Sequence, residues 1–308
     1  MIPLAIAALF LPVVQPPPRP STTPAIVYSY VPQRVYDTRQ KGFADFEGML
    51  ADLTRADVVF VGEQHDDANT HRLELAVLEG LLRRRVPLVI AMEMFERDVQ
   101  PVLDQYLAGA ITEEQFLKDA RPWPRYATDY RPIIEFARTH HIPVIGSDVP
   151  RHVATDVSKS GLGVVEALGA DRKLAARELQ CPTSGDYYDR FLQAMGGHPP
   201  SGDPKAADIQ QKNDRFYLAQ CLKDETMGES IAEAFTTNTS HVTIVHFNGA
   251  FHSDYAEGTA ASTRRRMPGR RIAVVSVMPV DDLDQERPDD SDLKLGDYLL
   301  YTLKSGGV

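Results

Sequence analysis

The chain has little positive charge and few cysteines. Its 308 residues include 33 Lys and Arg against 43 Asp and Glu, two cysteines and one tryptophan, and the net charge is −10. No basic stripe is available to neutralise phosphates, so we expect no nucleic-acid partner. Roughly 270 residues remain once the ends are trimmed, which is enough for one large α/β domain that buries its own core without disulfide staples.

Long apolar runs are scarce as well. Residues 2–14 are apolar apart from prolines, a length typical of the hydrophobic part of an export signal and too short to span a membrane. Residues 15–24 are rich in proline. We therefore expect residues 1–24 to be a signal-like segment with a linker, and the protein to be periplasmic or at the cell surface; a frayed apolar tail is the alternative. No cysteine follows the apolar run, so a lipid anchor is not expected.

The two cysteines, Cys181 and Cys221, lie on either side of a loop in a mostly helical segment. An even number of cysteines in an exported protein permits a disulfide. Such a bridge would constrain the unfolded chain by about 3–4 kcal/mol. Two buried free thiols are the alternative.

Apolar, β-branched runs alternate with helical patterns over residues 25–308, which we expect to form a single domain. This alternation predicts an α/β fold with a largely parallel sheet and helices on both faces. A helical insertion, at about residues 151–238, separates the third and fourth main strands. The six main strands are predicted at residues 57–62, 87–93, 142–148, 241–247, 271–278 and 297–303, the last at the edge of the sheet. Helices are predicted at residues 70–85, with Thr70 as N-cap, and at 98–108, 112–120 and 130–141.

Two copies of the pattern G-x-x-H follow two of these strands. One copy ends at His65 and the other at His252, while Glu93 and Asp148 end two further strands. Ligands of parallel sheets bind outside the carboxyl ends of the strands, so these side chains are expected to converge at one edge. The glycine that opens each pattern permits a tight turn and a close approach to a ligand.

The converging residues have the chemistry of a divalent-metal site. His65, Glu93, His252 and Asp148 supply the nitrogen and oxygen ligands that such ions take. Glu63 could act as a general base on metal-bound water or orient an imidazole. The alternatives are hydrogen-bonded core histidines, a carboxylate that caps a helix, and an Asp that only ends a strand. His71 is a weaker candidate, since it could cap or pair on a helix surface.

The segment 62–66 (GEQHD) with His71, then residues 91–95 (AMEMF) and 248–252 (NGAFH), resemble the haem-binding uptake family of ChaN-like proteins in the Tiki superfamily. The resemblance covers about residues 36–303. It implies a role in haem or iron acquisition, a homodimer that sandwiches haem held through tyrosine, and outer-membrane haem transport machinery as a partner. Asp148 departs from the family, which usually has Asn there, and the lipid-attachment cysteine is missing.

The resemblance does not identify the haem ligand in this chain. Tyr126 and Tyr130 are our candidates, because tyrosinate binds ferric iron and Trp123 is nearby in sequence. The alternative is that both are packing residues. A basic cluster at residues 264–266, 270 and 271 is either a solvated helix end or a contact for an anionic group such as a haem propionate.

Two functions from different classes follow. The first is an exported haem-binding protein of haem or iron uptake. The second is a metal-dependent hydrolase, a peptidase or esterase, with Glu63, His65, Glu93 and His252 as catalytic residues. A third possibility is a cluster that only stabilises the sheet. All of this chemistry requires His65 and His252 to share one crevice; ring nitrogens more than about 10 Å apart, far beyond what a common cation could span, would exclude the site.

Overall fold

An eight-stranded sheet forms the centre of the fold. The computed structural model describes residues 30–198, 204–238 and 242–306, so the predicted signal-like segment lies outside the described residues. The strands are β1 Gln33–Asp37, β2 Gly42–Ala44, β3 Val58–Glu63, β4 Leu88–Glu96, β5 Val144–Asp148, β6 Thr243–Gly249, β7 Ile272–Val280 and β8 Tyr298–Leu303. Their order across the sheet is β2-β1-β8-β7-β3-β6-β4-β5.

Strands β3 to β8 pair with one another in parallel. The antiparallel pairs are those of β1 with β2 and with β8. The prediction of a largely parallel sheet is confirmed. One detail is wrong: β8 is not an edge strand, because the amino-terminal strand β1 pairs along its free side and satisfies its backbone groups.

Helices cover both faces of the sheet. Within β3, the side chains of Val59 and Val61 join the core under the amino-terminal helices, whereas Val58 and Phe60 join the core under two later helices, at residues 206–237 and 258–266. A strand buried on both faces reads as a continuous apolar run, which explains the sequence pattern. The helices are α1 Phe46–Leu53, α2 Ala68–Arg83, α3 Gln100–Leu107, α4 Glu113–Ala120, α5 Arg131–His140, α6 Arg151–Ser160, α7 Gly163–Glu166, α8 Asp186–Ala194, α9 Ala206–Thr237 and α10 Gly258–Arg266.

Helix starts follow their capping side chains. The predicted capping box of Thr112 and Gln115 is present at the start of α4. The predicted N-cap Thr70 is wrong: Asp67 caps α2, and its carboxylate accepts the N–H of Thr70. An acidic side chain three residues ahead competes better for that N–H group, so α2 begins earlier than the apolar pattern indicates.

The inserted segment is mostly helical, as predicted, and consists of α6 to α9. Its main element, α9, has 32 residues and packs on the edge strand β5 and on α10. The disulfide Cys181–Cys221 is present and ties the segment ahead of α8 to the middle of α9. Within the described ranges, no helix has both the length and the apolar character needed to cross a bilayer.

Candidate functional site

The carboxyl ends of β3, β4 and β6 open into a cleft of about 360 Å³. Three aromatic rings, Trp123, Phe191 and Phe251, form much of its wall. Such a mixture of aromatic surface and a few polar groups is typical of a small-molecule site. The polar lining residues are His65, Glu93, Gln220, Lys223 and His252.

The glycines of the two G-x-x-H patterns let the two turns touch. A Cβ atom on Gly249 would lie 2.6 Å from Nε2 of His65, and one on Gly62 would lie 2.9 Å from the Cα of Ala250. Any larger residue would separate the turns. The imidazole of His65 therefore lies directly over Gly249, at the floor of the cleft.

His65 presents one ring nitrogen to the cleft. Its Nδ1 is 2.6 Å from Oε1 of the buried Glu63, its ring meets Trp123 edge-on at 5.1 Å, and its side chain is 47% exposed. Because a carboxylate only accepts, Nδ1 carries a proton and Nε2 holds the free lone pair of the neutral ring. Burial lowers the pKa of His65, but the bond to Glu63 and the charge of Glu93 outweigh it, so the pKa is raised.

His252 is held between two carboxylates. Its Nδ1 is 2.6 Å from Oδ1 of Asp224, and its Nε2 is 3.2 Å from Oε1 of Glu93. Burial lowers the pKa of this imidazole, yet Glu93 and Asp224 raise it more, to about 10. His252 is thus an imidazolium at neutral pH. The other oxygen of Glu93 accepts the N–H of Gly249 at 2.8 Å, which connects Glu93 to the floor of the cleft.

Lys223 supplies a cation that sequence reasoning missed. Its Nζ donates to Oε1 of Glu93 at 2.7 Å and lies 3.3 Å from Oδ2 of Asp148. We name Glu93, Asp148 and Lys223 the lysine cluster. Burial lowers the pKa of Lys223, but the two carboxylates raise it overall; the pKa of Glu93 is well below its usual range because His252 and Lys223 outweigh its own burial. Burial raises the pKa of Asp148 to about 6, despite Lys223.

A signal for Lys223 was present in the sequence. Gln220, Lys223 and Asp224 are spaced i, i+3 and i+4, so they share one face of α9, and that face borders the cleft. Polar residues on an inward helix face indicate a functional surface, but the interpretation requires knowing which face is inward.

The predicted metal set is only partly assembled. His65, Glu93 and His252 line one cleft, whereas Asp148 lies in a neighbouring groove behind Lys223. In the part of the chain that the structure describes, a single group of three potential ligands has its atoms within 4.8 Å of one another, and it is a different one: Glu63, His71 and Glu74. The ammonium of Lys223 already compensates the charges of Glu93 and Asp148. The arrangement of these two carboxylates therefore does not fit a metal ion.

The two candidate haem-ligand tyrosines are buried. Tyr126 is 5% and Tyr130 is 2% exposed. The hydroxyl of Tyr130 donates to Oε1 of Glu63 at 2.8 Å, and the ring of Tyr126 packs against Phe95 and Phe116. Neither residue lines the cleft, because this segment turns its tyrosines into the core, so the geometry agrees with the packing alternative. Only Trp123 of this segment faces the cleft.

The basic cluster forms structural ion pairs away from the cleft. Arg265 and Arg266, in the last turn of α10, both pair with Glu225, and Arg271 pairs with Asp52. These arginines join α10 and β7 to neighbouring helices. Nothing in this arrangement directs them toward a ligand in the cleft.

Comparison with known proteins gives a family match and structures of similar fold. Residues 49–262 match the family model described as "Haem-binding uptake, Tiki superfamily, ChaN". A ChaN structure from Campylobacter jejuni, reported for its cofacial haem binding, superposes with a TM-score of 0.61 at 17% identity, covering 89% of this chain and 97% of that chain. At that identity the likeness concerns the fold. No curated protein sequence matches the chain.

Other solved structures are more distant. A Bacillus cereus protein has a TM-score of 0.47 at 13% identity, with 83% of this chain and 91% of that chain covered. The erythromycin esterase EreC has a TM-score of 0.39 at 15% identity, covering 90% and 84%. TM-scores below 0.5 do not support an argument about function.

Proposed function

Because the chain belongs to the ChaN family of haem-binding uptake proteins in the Tiki superfamily, we propose that it binds haem in the aromatic cleft, as an exported component of haem or iron uptake. The observation that supports this most directly is the half-exposed imidazole of His65 beside Trp123, Phe191 and Phe251. A porphyrin needs apolar faces to contact and a side chain that reaches its iron, and these residues offer both.

Each residue of the cleft would have a defined task. Trp123, Phe191 and Phe251 would exclude water from the porphyrin faces. Nε2 of His65 would bind the iron, and Glu63 would hold that ring in place through Nδ1 at 2.6 Å. We choose His65 over the family's tyrosine because the hydroxyl of Tyr130 is already bonded to Glu63. The open cleft is compatible with a second subunit that covers the other haem face, as the family implies.

A haemin titration of the full chain tests the proposal. We expect a Soret band that saturates near one haem per chain, and a His65→Ala variant that binds at least about tenfold more weakly, the loss of one good ligand interaction. His140→Ala is the control, since His140 is exposed at the end of α5 that leads into the amino end of β5, away from the cleft. Absence of any Soret change, or equal affinity of the two variants, would contradict the proposal.

The hydrolase alternative has one observation in its favour. Two imidazoles, each bonded to a carboxylate at 2.6 Å, border the same cleft. Its metal has less support, because Lys223 fills the position between Glu93 and Asp148. An esterase or peptidase activity that disappears in both His65→Ala and His252→Ala would favour this function. Retention of that activity in both variants would assign it to a contaminant.

A further inference from the structure

We propose that Glu63, His71 and Glu74, which we name the inner cluster, bind a divalent transition-metal ion beneath the haem cleft. The cluster joins the end of β3 to the first turns of α2. It shares no residue with the lysine cluster, and it meets the proposed haem site only through Glu63, which also holds His65. Its three residues are 1%, 4% and 0% exposed, so the site is closed to solvent.

The possible ligand atoms are about as far apart as the ligands of a small metal ion. Nδ1 of His71 is 3.0 Å from Oε2 of Glu74 and 3.5 Å from Oε2 of Glu63. A tetrahedral ion with bonds of about 2.0–2.2 Å sets its ligand atoms about 3.3–3.6 Å apart. The three side chains therefore need only small adjustments to share one ion.

The second nitrogen of His71 faces two acceptors. Nε2 lies 3.2 Å from the carbonyl oxygen of His65 and 3.5 Å from Oδ2 of Asp129, and both of these groups only accept. Nε2 therefore carries a proton. Without an ion Nδ1 also carries a proton, because it faces the Glu74 carboxylate at 3.0 Å; a bound ion would replace that proton and take the lone pair of Nδ1. Histidines that bind metals commonly donate their other N–H to a carbonyl or a carboxylate in this way.

Two carboxylate oxygens of the inner cluster lack hydrogen-bond partners among the described residues. Oε2 of Glu63 and Oε1 of Glu74 are buried, and neither accepts a hydrogen bond from the described residues. The nearby guanidinium of Arg125 is already paired with Asp129 at 2.5 Å. Two buried carboxylates beside one neutral imidazole need two positive charges, since uncompensated buried charge is very costly. One divalent ion or two protons would supply them.

The ligand set indicates the class of ion. One imidazole and two carboxylates suit Zn²⁺, Fe²⁺ or Mn²⁺ better than the all-oxygen ions Mg²⁺ and Ca²⁺. Glu63 would link the ion to the cleft, because its other oxygen accepts from His65 and from Tyr130. The ion would thus hold Glu63, and through it the ring of His65, in a fixed orientation.

The metal content of haem-free protein tests the proposal. Full chain that shows no Soret band is analysed by elemental mass spectrometry, stripped with EDTA, and titrated separately with Zn²⁺ and Mn²⁺ while its melting temperature is recorded. We expect about one ion per chain and a rise of at least about 4 °C when one of these ions is added back, since binding stabilises the folded state. Glu74→Gln should lose both effects.

Matched variants locate the ion. Glu79→Gln, an exposed position on the same helix, should keep both the ion and the thermal shift. His252→Ala should also keep them, since His252 belongs to the cleft. The proposal is overturned if wild-type protein holds less than about 0.1 ion per chain and neither metal raises its melting temperature, which would leave two protons as the charge partners. It is equally overturned if His252→Ala releases the ion and Glu74→Gln retains it. The wild-type measurements decide the question even if a variant fails to fold.

Discussion

The lysine cluster and the inner cluster each contain two buried carboxylates, but their negative charges are compensated differently. Both bury two carboxylates: Glu93 and Asp148 lie on β4 and β5, and Glu63 and Glu74 lie on β3 and α2. In the lysine cluster, Glu93 and Asp148 receive a lysine from α9, and Glu93 also meets the imidazolium of His252. In the inner cluster a single imidazole faces both glutamates, and two oxygens are without partners in the described structure.

The difference follows from where the cations come from. The lysine cluster draws its ammonium from the long helix of the insertion, far away in sequence, whereas the inner cluster is built from residues 63–74 alone. The insertion therefore supplies the positive charge that compensates the buried carboxylates Glu93 and Asp148 beside the cleft. The inner cluster depends on protons or an ion from outside the chain. Five measurements test this contrast.

Lys223→Met should have the largest effect. It leaves Glu93 and Asp148 buried without their ammonium, and removing one partner of a buried pair typically costs 3–5 kcal/mol. We expect a loss of about that size in the free energy of unfolding, measured in urea at pH 7. Lys212→Met, exposed on the same helix, should change it by less than about 0.5 kcal/mol. A loss below about 1 kcal/mol for Lys223→Met would show that the two carboxylates find another partner.

The sheet could be predicted because its signal is local. The buried strands read as apolar runs, and their order along the chain with helices between them implies parallel pairing. The placement of β8 could not be predicted, since it depends on β1, whose five residues gave no indication of their partner.

The site could be predicted only where residues follow strands directly. His65, Glu93 and His252 were predicted from strand ends, and so was Glu63, the carboxylate partner of His65 at the end of β3. Lys223 and Asp224 were not, because they come from the middle of α9 and no sequence rule states how a 32-residue helix is rotated over a sheet. His71 was a weaker candidate and Glu74 was not predicted, because their spacing of three residues resembles an ordinary helix-surface pair.

Removal of the disulfide should have the second-largest effect on the free energy of unfolding. Cys221 lies two residues before Lys223 on α9, and the bridge to Cys181 spans 40 residues. Replacing both cysteines with serine should lower the free energy of unfolding by roughly 2–4 kcal/mol in urea. The bridge packs in the same cluster as Phe191 and Phe251 of the cleft wall, so we expect the metal content of the inner cluster to stay unchanged. Loss of the metal ion without loss of haem affinity would reverse our assignment of the two regions.

The pH dependence of stability should report on His252. Its pKa in the folded state, about 10, is above the ordinary value of 6.5. A raised pKa means that this contribution is fully present below about pH 6.5 and is lost as the pH rises toward 10. Between pH 7 and pH 9 the stability difference between wild type and His252→Gln should narrow by up to about 3 kcal/mol, given 1.4 kcal/mol per pH unit for one proton. A difference that stays constant over this range would show that His252 is neutral when folded.

The smallest effects on the free energy of unfolding are expected for Tyr130→Phe and Tyr126→Phe, and the two variants should differ. Tyr130→Phe removes a hydrogen bond to the buried carboxylate of Glu63, which is typically worth about 1.5–3 kcal/mol for a charged partner and falls at the low end here because His65 still donates to the same oxygen. Tyr126→Phe removes a buried hydroxyl that has no hydrogen-bond partner among the described residues. The free energy of unfolding of this variant should therefore equal that of the wild type or be slightly higher.

The same pair of variants decides whether either tyrosine binds haem iron. Both are buried, so we expect the haem complexes of Tyr126→Phe and Tyr130→Phe to keep the wild-type Soret maximum. A ligand exchange would shift that maximum, since the identity of the axial ligand sets the electronic state of the iron. A shift in one variant alone would identify a tyrosinate ligand and would require the segment around Trp123 to rearrange when haem binds. If that variant is Tyr130→Phe, haem binding to the wild type would also take the Tyr130 hydroxyl away from Glu63, and the metal content of the wild-type haem complex would then show whether the inner cluster and the cleft act together.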